Sequence, residues 1–296
     1  MKVAVAIPVL GRTDLLEACL TQVVRTVSDP STEIIVIDNT PDLDVITTHA
    51  GLCGTITKEH GRTRYFAPDH SLGIFDSIRY AADHTDADIL AFIHYDVLIW
   101  DVGWDLCIAH AFEEDAKLGL AGLVGAFGLA PDGGRIGTHS RLIGQQWGGN
   151  GTGEIWRIHG AWTPDDGMAS ATLDGCGIFY RRNTIPTLLD QDYPGLHHWY
   201  DREVCCAWLA DGWHIRTLPI RADHGGGAAG SQPAYGDQAR AVAEGLGIKD
   251  LPAGLLNYDQ LMYTLNYNRW RGRWQARLPV TVGADYTTKW KDGGEF

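Results

Sequence analysis

Three apolar runs in the first hundred residues constrain this chain more than any other feature: "KVAVAIPV" from Lys2, "EIIVIDNT" from Glu33 and "DILAFIHYDVLIW" from Asp88. A strand with one face in water alternates polar and apolar residues, whereas these runs are apolar at nearly every position. Such strands are covered on both faces, the situation of parallel sheets clad in helices. The intervening sequence supplies those helices. Asp14 to Thr26 is amphipathic, with Thr13 placed to cap it, and Ser71 opens a second helix reaching about His84. A short strand is expected at Thr63 to Phe66. This βαβαβ alternation predicts a doubly wound, mostly parallel α/β sheet.

The second half is less regular. A helix is expected from about Val102 to Asp115, then a glycine-punctuated strand "GLAGLVGAFG", then an excursion of hairpins and loops from Pro131 to Asp165. "ATLDGCGIFYRR" reads as a strand, "WYDREVCCAWLADG" as a helix closed by Gly212, and "WHIRTLPI" as a strand. "ADHGGGAAGSQ" loses all periodicity, as expected of a mobile loop. Residues beyond about 236 read as helical and end in a Trp- and Arg-rich tail. The division expected is a domain over 1–230 and a C-terminal helical extension over 231–296.

With 296 residues and 45% hydrophobic composition the chain can bury a substantial core. Its net charge of −13 argues against a generic polyanion binder, which would carry a basic face. The six cysteines show no CxxC spacing and sit mostly in apolar segments, as reduced thiols in a cytoplasmic protein would. No apolar run approaches the ~18 residues that span a bilayer. The N-terminal run lacks a cleavage site and reads as the first strand rather than a signal peptide.

Ligands of open α/β sheets bind outside the carboxyl ends of the strands, and three polar groups fall there: Asp38, His94 and Asp96. In a continuous strand His94 and Asp96 would share a face and Tyr95 would oppose them. The sequence after the first strand, "AIPVLGRTD", carries neither the G-x-G-x-x-G of a dinucleotide site nor the lysine of a P-loop. Without a glycine cradle, a diphosphate would need another counter-charge, and a divalent cation held by carboxylate and imidazole is the natural one.

The ordered set "VAIPVLGR", "EIIVIDNT", "HSLGIFDSIRYAA", "ILAFIHYDV", "LDGCGIFYRR", "HHWYDREVCCAWLADGW" and "RADH" resembles the family 2 glycosyltransferases of the GT-A fold over roughly residues 2 to 226. It is especially similar to a bacterial and phage branch whose metal motif reads His-x-Asp-Val. Departures from the family pattern are His70, His94 and Glu203. The resemblance implies an inverting, metal-dependent enzyme that moves a hexose or pentose from a nucleoside-diphosphate sugar, UDP-linked above all, to an acceptor hydroxyl. It implies Pro8, Asp38, Gly73 and His94 on the donor nucleotide, Asp38 accepting from a uracil-like N–H. Asp96 and His224, with His94 beside them, would hold Mn2+ or Mg2+. Asp174, Gly175, Trp199 and Glu203 would lie on the sugar and acceptor side, and Asp201 would be the catalytic base, with Glu203 or Asp174 as substitutes.

Each of these has a plainer reading. Asp38 could serve a turn, His94 could be a satisfied core histidine, Asp201 could favour a helix dipole, and His224 could be an ordinary loop residue. His197 and His198, adjacent in an extended segment, would point apart and read as acceptor-side or structural. A non-catalytic sugar-nucleotide or glycan-binding protein on the same fold is the alternative function. From residue 266 onward six basic residues face three acidic ones. Either this segment binds a phosphate-bearing acceptor, such as a lipid-linked saccharide or a hydroxylated base in DNA, or Trp270 and Trp274 pack it onto the acidic body.

Overall fold

The computed structural model describes residues 1–142, 144–145, 155–156, 160–189, 193, 196–225, 233–252 and 254–291. Its first half runs β1 (Val3–Val9), α1 (Thr13–Thr26), β2 (Glu33–Asp38), α2 (Leu43–His60), β3 (Thr63–Phe66), α3 (Ile74–Asp83), β4 (Ile89–Ile93), β5 (Val97–Ile99) and α4 (Trp104–Glu114). Strands β6 (Leu118–Gly122), β7 (Val124–Leu129) and β8 (Arg135–Ser140) follow, then the two-residue strands β9 (Gly144–Gln145), β10 (Ile155–Trp156), β11 (Ala161–Trp162), β12 (Met168–Ala169) and β13 (Thr172–Leu173). The chain continues through β14 (Gly177–Arg181), α5 (Ile185–Leu188), α6 (Tyr200–Ala210), β15 (His214–Thr217), β16 (Ala222–His224), α7 (Pro233–Gly245), α8 (Tyr258–Trp274), β17 (Val280–Val282) and β18 (Thr288–Trp290).

The main sheet has the order β12-β15-β6-β14-β4-β1-β2-β3. Neighbours β15–β6, β4–β1, β1–β2 and β2–β3 are parallel, while β14 runs against both β4 and β6, as β12 does against β15. Alternation within β1 explains its unbroken apolar sequence. Val3, Val5, Ile7 and Val9 face a cluster completed by α1, α2 and α4, whereas Ala4 and Ala6 face one completed by α3, α6 and Trp270 of α8. The doubly wound expectation therefore holds, with helices on both faces.

Several local expectations change. Thr13 does not cap α1; the cap position is Arg12, and the Thr13 hydroxyl instead meets His49 Nε2 at 2.9 Å. Ser71 does not cap α3 either, since Gly73 holds that position and Ser71 Oγ donates to Asn39 O. Helix α2 is additional to the helices expected from the sequence; Asp42 caps it by accepting from the N–H groups of Asp44 and Val45. "GLAGLVGAFG" is two strands in different sheets, parted at Leu123. The predicted mobile loop, 222–232, begins instead as strand β16 at Ala222–His224, and its residues 226–232, like parts of the 131–165 excursion, lie outside the described residues.

The tail is α-helical through Trp274 and ends in a 3-10 turn at Gln275–Arg277. Val280-Thr281-Val282 has the β-branched alternation of a strand, and it pairs antiparallel with β7, Val280 opposite Leu129. The two tryptophans of α8 are buried, Trp270 beside Trp199 and Trp274 over Trp290. Arg273 pairs with Glu203 at 2.5 Å, and Trp274 Nε1 donates to the other carboxylate oxygen at 2.8 Å. The tail thus packs onto the acidic body through these residues. Glu203 has 1% of its surface exposed, so weakening its charge-assisted bonds costs far more than losing an exposed arginine contact. Arg273→Gln should lower unfolding free energy by about 1–3 kcal/mol. Arg271→Gln, which gives up a surface bond to Gln275 and a distant approach to the Tyr267 ring, should stay within about 0.5 kcal/mol. Paired denaturant titrations check both values, and equal effects would contradict the assignment.

Candidate functional site

The reversed strand β14 builds the site. Because it runs antiparallel to β4, its beginning lies at the carboxyl edge of the parallel strands, with Gly177 opposite Ile93. His94 N–H donates to Cys176 O at 3.0 Å, which sets Asp174-Gly175-Cys176 beside His94. The continuous strand expected through Asp96 is not formed. Strand β4 stops at Ile93, and a turn closed by Val97 N–H to His94 O brings His94 and Asp96 together by a different route from strand alternation. Past the turn, β5 pairs with β16, Val97 opposite His224, and Gly225 N–H donates to Asp96 O.

His94, Asp96 and His224 therefore converge, one potential ligand atom of each lying within 4.8 Å of the others. His224 Nε2 stands 3.5 Å from Asp96 Oδ1. Tyr200 Oη donates to Gly175 O at 2.5 Å, so its oxygen can only accept from His94 Nε2, 3.0 Å away. That assignment leaves His94 Nδ1 as the bare nitrogen of a neutral ring. Burial lowers the His94 pKa, opposed by the nearby Asp96 carboxylate. A carboxylate with two imidazoles suits a divalent first-row ion such as Mn2+. Gly175 is required here, because a Cβ would lie 2.3 Å from Tyr200 Oη.

Two cavities flank this cluster. One, about 130 Å3 and mainly apolar, is lined by Pro8, Asn39, Leu72, Ile74, His94 and Asp96, and by Tyr235 and Gln238 of α7. The other, about 440 Å3, is lined by His94, Asp174, Gly175, His197, His198, Trp199, Asp201 and Arg202. Gly73 is not among the wall residues but starts α3 between Leu72 and Ile74, which are. Trp199 sits with φ +67°, packed on Tyr267 and Trp270, with the Arg202 guanidinium over its ring. Gly133, at φ +83°, makes room for it, since a Cβ there would come within 2.3 Å of the indole.

Arg135 governs the larger cavity. It contacts Asp174 Oδ2 at 3.0 Å and Asp201 Oδ2 at 2.7 Å, while Arg202 contacts Asp201 Oδ1 at 3.1 Å. Burial would raise the Asp174 pKa, but Arg135, His224 and the Cys176 N–H outweigh it and hold the carboxyl well below the usual range. Sequence reading missed Arg135 and Arg202. Arg202 adjoins Asp201 in sequence, but Arg135 lies on a strand of the irregular excursion and carries no local signal.

Two predicted residues point elsewhere. Glu203 does not line the larger cavity; it is held by Arg273 and Trp274. Asp38 does not present its carboxylate to a nucleobase. It is buried under α2, accepting from His49 Nδ1 at 2.7 Å, Tyr65 Oη at 2.6 Å and Thr40 N–H at 2.9 Å. Its neighbour Asn39 reaches the smaller cavity instead. His197 and His198 also depart from expectation, for their rings lie together, centroids 4.2 Å apart. Burial pushes the His197 imidazole down to about 3, keeping it neutral.

This sheet, with its reversed strand and edge cluster, is the GT-A fold of glycosyltransferases. The chain is similar to GalNAc-T7 in a structure with UDP, GalNAc and Mn2+, at 15% identity and TM-score 0.58, covering 93% of this chain and 56% of that one. It is also similar to the mannosyltransferase PcManGT from Pyrobaculum calidifontis in complex with GDP-Man and Mn2+, at 13% identity and TM-score 0.53, covering 92% of this chain and 70% of that one. The chain thus spans little more than half the length of the first. No protein family signature and no curated protein sequence matches it.

The Asp38 network yields a test with a definite sign. Burial alone would raise the Asp38 pKa, but the bonds from His49, Thr40 and Tyr65 outweigh it and leave it lowered. A depressed carboxylate pKa contributes stability above the unfolded-state value near 3.9, lost as pH falls through the folded-state value. Asp38→Asn should therefore cost about 1.5–3 kcal/mol near pH 7, with the deficit shrinking below about pH 4. Unfolding free energies measured across that range check it; a pH-independent deficit would contradict the charged network.

Proposed function

We propose that this protein is a metal-dependent glycosyltransferase that inverts the anomeric carbon, in the family 2 manner of the bacterial and phage His-x-Asp branch. The single observation carrying this is the convergence of His94, Asp96 and His224 at the sheet edge between two cavities. The smaller takes the nucleoside, between Pro8 and α3, with UDP as the preferred nucleotide. The larger takes the sugar and the acceptor. Asp96, His224 and His94 would hold Mn2+ or Mg2+, which supplies Lewis-acid stabilisation to a diphosphate leaving group. Among the described residues no helix is long and apolar enough to cross a membrane, and the buried free cysteines suit a cytoplasmic site of action.

Asp201 is assigned the acceptor's proton. Both its oxygens accept from guanidinium groups, so an incoming hydroxyl must displace one of them. Arg202 Nη1, at 3.1 and 3.3 Å, is held less closely than Arg135 Nη2 at 2.7 Å and is the one to yield. Arg135 then fixes Asp201 and Asp174 relative to each other. The same occupied lone pairs favour the second reading, a sugar-nucleotide-binding protein without turnover. The acceptor is a saccharide, a lipid-linked saccharide or a hydroxylated DNA base.

UDP with Mn2+ should raise the melting temperature, by an amount corresponding to roughly 2.7 kcal/mol at one hundred times Kd. Asp96→Ala or excess chelator should remove the shift, and UDP binding undiminished in chelator would overturn the metal reading. Asp201→Asn should keep donor binding and lose about 10²-fold or more in turnover, read as diphosphate release. Donor binding without turnover by wild type, across saccharide and nucleic-acid acceptors, would favour the binding protein.

A further inference from the structure

A second cluster lies apart from the one just described and shares no residue with it. His197 and His198 precede α6, Asp259 stands in the first turn of α8, and one ligand atom of each lies within 4.8 Å of the others. Adjacent side chains of extended backbone diverge, yet these rings lie 4.2 Å apart. The next residue is Trp199, whose φ of +67° is uncommon and costly for a bulky side chain. The chain thus holds a strained turn beside two imidazoles gathered toward one carboxylate.

Two further features bear on what the cluster is for. Tyr235 of α7 stands edge-on to His197 with centroids 4.7 Å apart; its buried hydroxyl faces the Asp259 carboxylate without closing a full hydrogen bond among the described residues. A buried hydroxyl held short of a full bond is costly, and an ion with its bound water beside Asp259 would relieve it. His198 Nε2 and Asp259 Oδ1 are 2.6 Å apart, a hydrogen bond in which the imidazole donates to the carboxylate. That bond accounts for His198 and Asp259 but leaves His197 without a partner role.

We propose that His197, His198 and Asp259 form a second metal site that takes an ion of the zinc class. Two imidazoles and one carboxylate are a common ligand set for such an ion, and they leave a position for water or for the Tyr235 side. Bonds of about 2.0–2.1 Å would draw the triangle inward, the ion replacing the proton between His198 and Asp259. The ligands join the segment before α6 to the start of α8, so the ion would clasp the C-terminal helices to the rim of the large cavity. His197 and His198 both line that cavity, which makes the open position reachable from it. The cluster His94, Asp96 and His224 contains the same donor types but lies on the turn between β4 and β5 and at the end of β16, so the two sites can be emptied separately.

The test is zinc titration of the full chain by calorimetry, with cobalt as a spectroscopic substitute. Wild type should bind two equivalents of zinc and Asp96→Ala one. Cobalt in the Asp96→Ala protein should give the intense visible bands of a low-coordinate site. In that background Asp259→Asn, and independently His197→Ala, should each lose the remaining equivalent and the bands. Circular dichroism establishes that each variant is folded, and Asp259→Asn decides the matter should His197→Ala not fold. Zinc binding that survives both substitutions, or an Asp96→Ala protein that binds no zinc, would overturn the second site whatever the fate of the first.

Discussion

The hydrogen bond from His94 N–H to Cys176 O joins the end of a parallel strand to the beginning of an antiparallel one, and the candidate site depends on that junction. In a wholly parallel sheet, the residues preceding a strand lie at the opposite edge from the ligands. Reversing β14 puts Asp174-Gly175-Cys176 at the carboxyl edge beside His94. Tyr200, at the head of α6, then bonds both His94 and Gly175. One side chain thereby fixes a histidine tautomer, a glycine turn and the start of the helix carrying Asp201.

Charge in this region is arranged around guanidinium groups. The Arg135 side chain is only partly buried, with 19% of its surface exposed, and burial alone would lower its pKa; Asp174 and Asp201 more than restore it. Such a group is costly to bury unless paired, and removing either partner carboxylate leaves it with a single counter-charge. Asp174 and Asp201 are thus coupled through Arg135, and a substitution at one will be felt at the other. Glu203, two residues beyond Asp201 on α6, serves a different end: it faces α8 and ties the tail to the body.

Much of the fold could be read from residue patterns because its central strands are buried on both faces and so carry an unbroken apolar signal. The order of β1, β2 and β4, and helices α1, α3, α4 and α6, follow from that signal and from helical periodicity. Helix α2 was hidden because its threonines and glycines give weak amphipathicity. The tail strands were hidden because three residues are too few to show a period. Among the site residues, His94, Asp96 and His224 converge as a motif reading anticipates, although by a turn rather than a strand. Asp38 misled because a strand-end aspartate looks the same in sequence whether it meets a ligand or a buried histidine eleven residues on. Arg135 could not be found at all, since its partners are 39 and 66 residues away.

The pairing of β17 with β7 has a consequence for how the chain reaches its native state. The edge of β7 is completed by β13 near Gly125 and Ala126, and by β17 near Gly128 and Leu129. About 150 residues separate Leu129 from Val280. During synthesis that edge offers unpaired N–H and C=O groups until the distal segment has left the ribosome, and closing so long a loop is slow. For that interval the nascent chain carries a sticky border suited to a neighbouring copy, so its yield in cells should depend on crowding of like chains and on chaperone supply more than its final stability suggests.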